Sequence, residues 1–461
     1  MPGRPDGHWI HHWDPEDRVF WARSGRRIAR RNLWASIFAE HIGFSVWSLW
    51  AVLVLFMTPE NGFHFSTEQK FLLVSTVSFV GAALRVPYTL AVPRFGGRTW
   101  TIASVAVLLI PTVMAAYLIQ APETPFWLFL LLGATAGLGG GNFASSMANI
   151  SFFFPEREKG WALGLNAGGG NIGVATVQLV GLAVIALFTL DGGPLVPLVY
   201  VPLLVSAIWV SWRYMDNLGT ARTAPTAYLA ATRDRHFWIM SLLYVATFGS
   251  FIGFGFAFGL LLQSQFDRTP LEAASITFLG PALGSLLRPV GGGLADRFGG
   301  ARITVGTFGA MAVAAAVILA AIENVSLPVF LAAFSVLFVL TGIGNGSTYK
   351  MIPAIYAAKA ENLMNQGISR EEAVARCNHR AGSVLGLIGA VGAVGGVGIN
   401  LVFRESFAAS GTATPAFAVF LVGYLVCAVV TWAVYVRAPR PQPSARPDET
   451  PARTPAETAT P

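Results

Sequence analysis

Residues 85–97 read RVPYTLAVPRFGG, and residues 288–300 read RPVGGGLADRFGG. Each stretch opens on an arginine, Arg85 or Arg288, and nine residues later reaches Arg-Phe-Gly-Gly, at Arg94 and at Arg297. The offset is 203 at both points. A second pair, GLGGGN at 137–142 and GIGNGS at 342–347, repeats at an offset of 205. The chain therefore holds two parallel copies of one unit, joined by a central loop near 213–235 (RYMDNLGTARTAPTAYLAATRDR).

Composition says what the unit is made of. Of the 461 residues 54% are hydrophobic and only 12% charged, and the mean hydropathy is +0.57. An ordinary soluble domain carries about 25% charged residues, so a soluble enzyme and a charge-rich disordered chain are both excluded. The 49 glycines show no G-X-Y period, which excludes collagen, and two cysteines, Cys377 and Cys427, make no disulfide framework. Apolar stretches of about 20 residues, enough to cross a core of roughly 30 Å, fall at 33–57, 71–92, 99–120, 125–154, 161–190, 196–212, 237–263, 273–295, 303–322, 327–357, 382–403 and 416–436.

Twelve spans divide into an N-terminal segment at 1–32, a six-helix bundle at 33–213, a central loop at 214–235, a second six-helix bundle at 236–437 and a tail at 438–461. The first segment has no apolar core of the kind a cleaved signal peptide needs. The tail is rich in Pro, Thr, Arg and Ala and is expected to be disordered. Lys and Arg set the orientation. All of the 31 basic residues lie on one side except six: Lys70, Arg268 and Arg404 in loops of the other side, and Arg85, Arg288 and Lys350 inside spans. Both termini are thus expected to be cytoplasmic, in a multi-pass protein of the inner membrane. The pI of 9.6 reflects this topology and gives no ground for nucleic-acid binding.

Nine residues of helix rise about 13.5 Å, so Arg85 and Arg288 stand near mid-membrane if Arg94 and Arg297 mark the ends of their spans. A mid-membrane Arg costs at least ~2.5–3.5 kcal/mol. Each could tie helices together through carbonyls, but the spans hold almost no acid to pair with; Glu40 is the exception. Two planar guanidinium forks facing one cavity suit a small planar oxyanion. The fifth span carries NAGGGNIG at 166–173 and the eleventh GLIGAVGAVGGVG at 386–398. Small-xxx-small packing, as at Gly164/Gly168 and Gly392/Gly396, accounts for most of these glycines. Asn166 and Asn171 could hydrogen-bond an ion.

The loop GGGLADRFGGAR at 291–302, between the second and third spans of its half, resembles the signature of the major facilitator superfamily. The phrase NFASSMANISFFFP at 142–155, followed by 166–173, resembles the nitrate/nitrite porter family (NarK-type) of that superfamily. WDPED at 13–17, RNLW at 31–34 and WIMSLLYVATFGSF at 238–251 extend the likeness from about Trp13 to Arg437. The resemblance implies an all-α membrane fold of two six-helix halves related by a pseudo-twofold axis. It implies nitrate clamped by Arg85 and Arg288, a hydrogen bond from Tyr244, aromatic walls at Phe143, Phe248 and Phe44, and Asn166 at the site. Its signature glycines fall on Gly168, Gly170, Gly173, Gly392 and Gly395. Two departures stand out. Lys350 and the pair Glu40-His41 occupy places that look neutral or apolar in members thought to exchange nitrate for nitrite, and this points to proton coupling.

Moving one negative charge inward against the potential costs about 2.3 kcal/mol per 100 mV. Accumulation therefore needs co-moving protons, at least two for a net positive cycle, or exchange for nitrite. Nitrate/proton symport by alternating access is the expectation, nitrate/nitrite antiport the alternative, and carriage of another small organic anion the remoter one. No cofactor is expected, and the partners are nitrate, nitrite, protons and lipid, around a monomer. A membrane enzyme would need a nucleophile, paired carboxylates or a metal set. Only His8, His11 and His12 have metal-like spacing, and a solvated tail explains them.

Overall fold

The computed structural model describes residues 8–219 and 232–437, with backbone alone at 371, 374–376 and 378–383. Twelve helices in it are long and apolar enough to cross a bilayer. The N-terminal half has α1 (Arg18–Phe56), α2 (Thr67–Phe95), α3 (Gly97–Leu118), α4 (Phe126–Phe153), α5 (Glu156–Phe188) and α6 (Leu190–Tyr214). The C-terminal half has α7 (Arg235–Phe266), α8 (Pro270–Phe298), α9 (Gly300–Glu323), α10 (Leu327–Asn365), α11 (Arg370–Ser410) and α12 (Thr414–Val436). Two short strands, β1 (Trp9–Ile10) and β2 (Asn217–Leu218), pair in parallel. The expected tail at 438–461 and most of the central loop, 220–231, lie outside the described residues.

The repeat is written into the helix ends. α2 begins with a capping box of Ser66 and Gln69, and α8 with one of Thr269 and Glu272, at the same offset of 203. Both helices stop on a glycine of positive φ, Gly96 (84°) and Gly299 (90°), a conformation that side chains with a Cβ resist. Packing repeats as well. α2 lies against α4, α3 against α6 and α1 against α5, and in the second half α8 lies against α10, α9 against α12 and α7 against α11. The α2–α4 crossing is close enough that a Cβ on Gly140 would sit 2.7 Å from the Gly81 Cα; one on Gly342 would sit 2.3 Å from the Gly284 carbonyl at the α8–α10 crossing.

The two halves meet along α2–α11 and α5–α8. Among the described residues their hydrogen bonds run from the level of the buried arginines toward the end that carries residues 57–66. Gln178 donates to the Gly255 carbonyl (2.9 Å), Gln263 to the Leu55 carbonyl (3.4 Å), and the Thr67 and Ser264 hydroxyls stand 3.3 Å apart. Phe71 stacks on Phe403 and Phe407 at the same end.

The helices outrun their apolar stretches. α1 starts at Arg18 where only 33 onward is apolar, α5 starts at Glu156, and α11 starts at Arg370. Hydropathy reports the part of a helix that sits in hydrocarbon, while Arg, Lys and Glu extend it readily. The polar start of the chain is also more ordered than a solvated tail. β1 pairs with β2 after α6, and the His8 imidazole stands 3.7 Å from Asp216. Trp13 packs edge-on against Phe20 and Phe153, and buried Trp21 donates to Glu158 (2.8 Å). Asp216 in turn binds Asn32 (3.0 Å) and Arg31. Asp234 caps α7 and accepts from the His236 N–H (3.0 Å), Tyr356 (2.9 Å) and Lys359. Burial works against its charge, but these donors hold its carboxyl below the usual range.

Candidate anion site between the halves

Arg85 is fully buried on α2 and Arg288 is 6% exposed on α8. Each is followed closely by a proline, Pro87 or Pro289, inside its helix. Proline cannot donate to the preceding turn, so both helices are locally weakened beside their charge. Arg85 Nη1 donates to the Gly389 carbonyl of α11 at 2.8 Å. Arg288 Nη2 reaches the Tyr244 hydroxyl of α7 at 3.0 Å. Arg85 Nε and Nη2, and Arg288 Nη1, find no hydrogen-bond partner among the described residues. Buried donors of this kind are costly to leave unpaired, more so when charged.

Rings form the walls. The Arg85 Cζ lies 4.7 Å from the Phe143 ring and 4.9 Å from that of Phe248. Tyr244 stacks flat on Phe248, with centroids 5.2 Å apart and planes 7° apart, and Phe248 faces Phe143 at 6.1 Å. Phe44 stands one layer behind, against Phe143 (5.7 Å) and Trp47 (5.1 Å). Arg288 lies 5.4 Å from the ring of Tyr349 on α10, which also approaches Tyr244 at 5.9 Å. α7 carries a π-helical turn at Val245–Gly249, between Tyr244 and the rest of its helix and including Phe248. Such turns often mark functional positions.

The structure thus brings Arg85, Arg288, Tyr244, Phe143 and Phe248 together, with Phe44 adjoining. Asn166 goes elsewhere. Its amide donates to Glu40 (2.8 Å) and to Ser146 (2.6 Å), in a cluster within the N-terminal half. His41 meets the Gly169 carbonyl (3.1 Å). Lys350 points away and pairs with Asp296 at 2.8 Å, both side chains about half exposed.

The glycines sort by what they face. A Cβ on Gly392 would stand 2.3 Å from the Tyr244 ring, and one on Gly170 would stand 2.2 Å from the Glu40 carboxyl. Gly173 abuts the His41 carbonyl and Gly395 the Val245 carbonyl. Gly164 and Gly168 meet nothing within 4 Å, so close packing does not account for that pair. Sequence reasoning missed Tyr349 and Gly389. Tyr349 could have been flagged as the aromatic hydroxyl in the polar run 346–350, whereas Gly389 acts through its carbonyl and leaves no side-chain signal. Among the described residues no group of three or more His, Cys, Asp or Glu could hold a metal ion.

Twelve helices in two repeated halves, closing on a buried cationic site, are the architecture of a facilitator-type membrane carrier. The sequence matches the Major Facilitator Superfamily over residues 33–399. It is 40% identical over 444 residues to the "Nitrate/nitrite transporter NarU" of Salmonella typhimurium, covering 92% of this chain and 96% of that protein. It is 36% identical over 375 residues to the "Probable nitrate/nitrite antiporter NarK2" of Thermus thermophilus, covering 76% and 83%. A solved D-xylose–proton symporter superposes with a TM-score of 0.62 at 14% identity, over 89% of this chain and 98% of that one, which speaks for the fold alone. The chain belongs to the nitrate/nitrite porter family of the major facilitator superfamily.

Proposed function

We propose that the protein carries nitrate, and nitrite with it, across the inner membrane by alternating access, importing nitrate together with protons. The observation that carries this reading is the pair of buried arginines with three unpartnered guanidinium nitrogens, set among aromatic faces where the halves meet. Guanidinium forks donate in a plane, and a planar trigonal oxyanion returns an acceptor to each direction. Flat rings can cover its two faces. The anion offsets the repulsion between Arg85 and Arg288, so the halves can close around it. Both termini lie in the cytoplasm, and the carrier works as a monomer in lipid with no cofactor.

A second reading, electroneutral nitrate/nitrite exchange, is favoured by the Thermus thermophilus relative's name. Nitrate uptake into proteoliposomes under an inward proton gradient, with and without internal nitrite, separates the two. Uptake driven by the gradient alone supports symport. Uptake that demands internal nitrite and ignores pH overturns symport and leaves exchange. A vesicle that takes up formate or a dicarboxylate but no nitrate overturns both.

A further inference from the structure

The N-terminal half contains a second polar site that the anion does not use. Glu40 on α1 is 1% exposed. One of its carboxyl oxygens accepts from the Ser146 hydroxyl of α4 (2.5 Å) and the Asn166 amide of α5 (2.8 Å). Ser36 closes the group through Ser146 (2.9 Å). The other carboxyl oxygen has no partner among the described residues, and neither have the Asn166 carbonyl oxygen or either polar atom of the buried Asn142 side chain. Glu40 and Asn142 line one small cavity together with Ser36, Thr101, Ser104 and Ser146. Its volume is about 10 Å³, space for the centre of about one water. A Cβ on Gly170 would fall 2.2 Å from the unpartnered oxygen, so the glycine is what lets the carboxyl sit there.

The repeat makes this cell specific to one half. Thr101 and Asn142 correspond to Thr304 and Ser347 at offsets of 203 and 205. In the C-terminal half those two hydroxyls bond each other directly at 2.9 Å. In the N-terminal half Thr101 turns to the Gly97 carbonyl and the Asn142 amide is left without a partner.

We infer that this cell is the proton-binding site of the carrier, with Glu40 as its carboxyl and an internal water held by Asn142 as its relay. The inference rests on the anion-transport reading above and deepens it. Among the described residues, the ionisable groups of neighbouring helices whose charge acts on Glu40 are Arg85 of α2, Arg288 of α8 and Tyr349 of α10. α4, α5 and α3 present only amides and hydroxyls to it. His41, next to it on α1, is committed to the Gly169 carbonyl, and Lys350 to Asp296. With the clamp free, the two guanidinium charges favour the carboxylate. Nitrate between them cancels part of that field, and Glu40 takes up a proton. By linkage, the protonated carboxyl raises the affinity for nitrate by the same factor. Anion and proton then cross together, and the proton leaves when the anion does. Glu40 carries one of the protons that cross with nitrate, and that proton alone cancels the charge of the anion.

The test uses the full-length protein in detergent. Nitrate affinity is measured by calorimetry between pH 5.5 and 8.5, and proton uptake on adding nitrate is followed with a pH-indicator dye in weak buffer. The wild type should bind nitrate more weakly as pH rises, by about 5- to 150-fold across the titration, and take up protons with nitrate. Glu40→Gln should bind nitrate with an affinity independent of pH and take up none. Ser146→Ala keeps the carboxyl but removes its closest donor, so its pH midpoint should move to higher pH; a purely structural cluster would leave that midpoint in place. Proton uptake by Glu40→Gln equal to wild type overturns the inference. So does wild-type nitrate binding that ignores pH, which leaves the anion site standing. Failure of the wild type to bind nitrate overturns the transport reading itself.

Discussion

Arg85 on α2 donates to the carbonyl of Gly389 on α11 at 2.8 Å, so a buried charge of one half is held by the backbone of the other. A carbonyl serves one N–H of the fork and leaves the rest for a ligand. Arg85→Lys cannot reproduce the fork. Loss of a charged hydrogen bond is worth about 1.5–3 kcal/mol, so nitrate uptake by whole cells should fall about 10- to 100-fold. The variant should keep the wild-type melting temperature in detergent; normal uptake would make Arg85 structural.

Tyr244→Phe removes the hydroxyl that meets Arg288 at 3.0 Å but keeps the ring stacked on Phe248. A hydrogen bond to a charged group contributes about 1.5–3 kcal/mol. Nitrate should bind about 10- to 100-fold more weakly by calorimetry, with the wild-type melting temperature retained.

Gly392→Ala and Gly168→Ala should part company. The first drives a methyl into the Tyr244 ring, and the second meets nothing within 4 Å. Overpacking costs about 1–3 kcal/mol, so Gly392→Ala should lower the melting temperature and weaken nitrate binding. Gly168→Ala should melt at or above the wild type, since Ala suits a helix interior better than Gly by about 1 kcal/mol.

Lys350→Gln should leave gradient-driven nitrate uptake within about twofold of wild type, because an exposed ion pair contributes about 0–1 kcal/mol and its amino group is turned to Asp296. Loss of uptake would return Lys350 to the coupling machinery.

Trp21→Ala should destabilise the N-terminal half by about 3–5 kcal/mol. It removes a nearly fully buried ring that packs on Phe154 and donates to Glu158. A melting temperature equal to wild type would show that the polar start of α1 is not part of the folded unit.

Much of this was legible from the chain. The repeated Arg-Phe-Gly-Gly phrase fixed the two halves, and its spacing placed both arginines deep in their helices. What the chain concealed depends on how helices turn relative to one another. Asn166 reads as a polar residue of the fifth span, but only the rotation of α5 against α1 decides that it faces Glu40. Lys350 reads as buried because hydropathy averages over a span, while its long stem carries the charge out to Asp296 on α8, which packs beside it. The polar start of the chain, up to residue 32, reads as a tail because the partners of His8 and Trp21, Asp216 and Glu158, are far away in sequence.

The π-helical turn at Val245–Gly249 gives α7 a mechanical character of its own. A wider turn gives up regular hydrogen bonding at that point, and Gly249 there touches Gly395 of α11 without side chains between them. α7 is therefore two arms with a joint at the height of Arg288 rather than a single rod. One arm, Arg235–Tyr244, carries the phenol that meets Arg288, and the other, Ser250–Phe266, seals the closed end. In the carrier proposed above, a bend at this pivot would open that seal and withdraw the phenol together, making release of the ion and unlocking of the gate a single stroke.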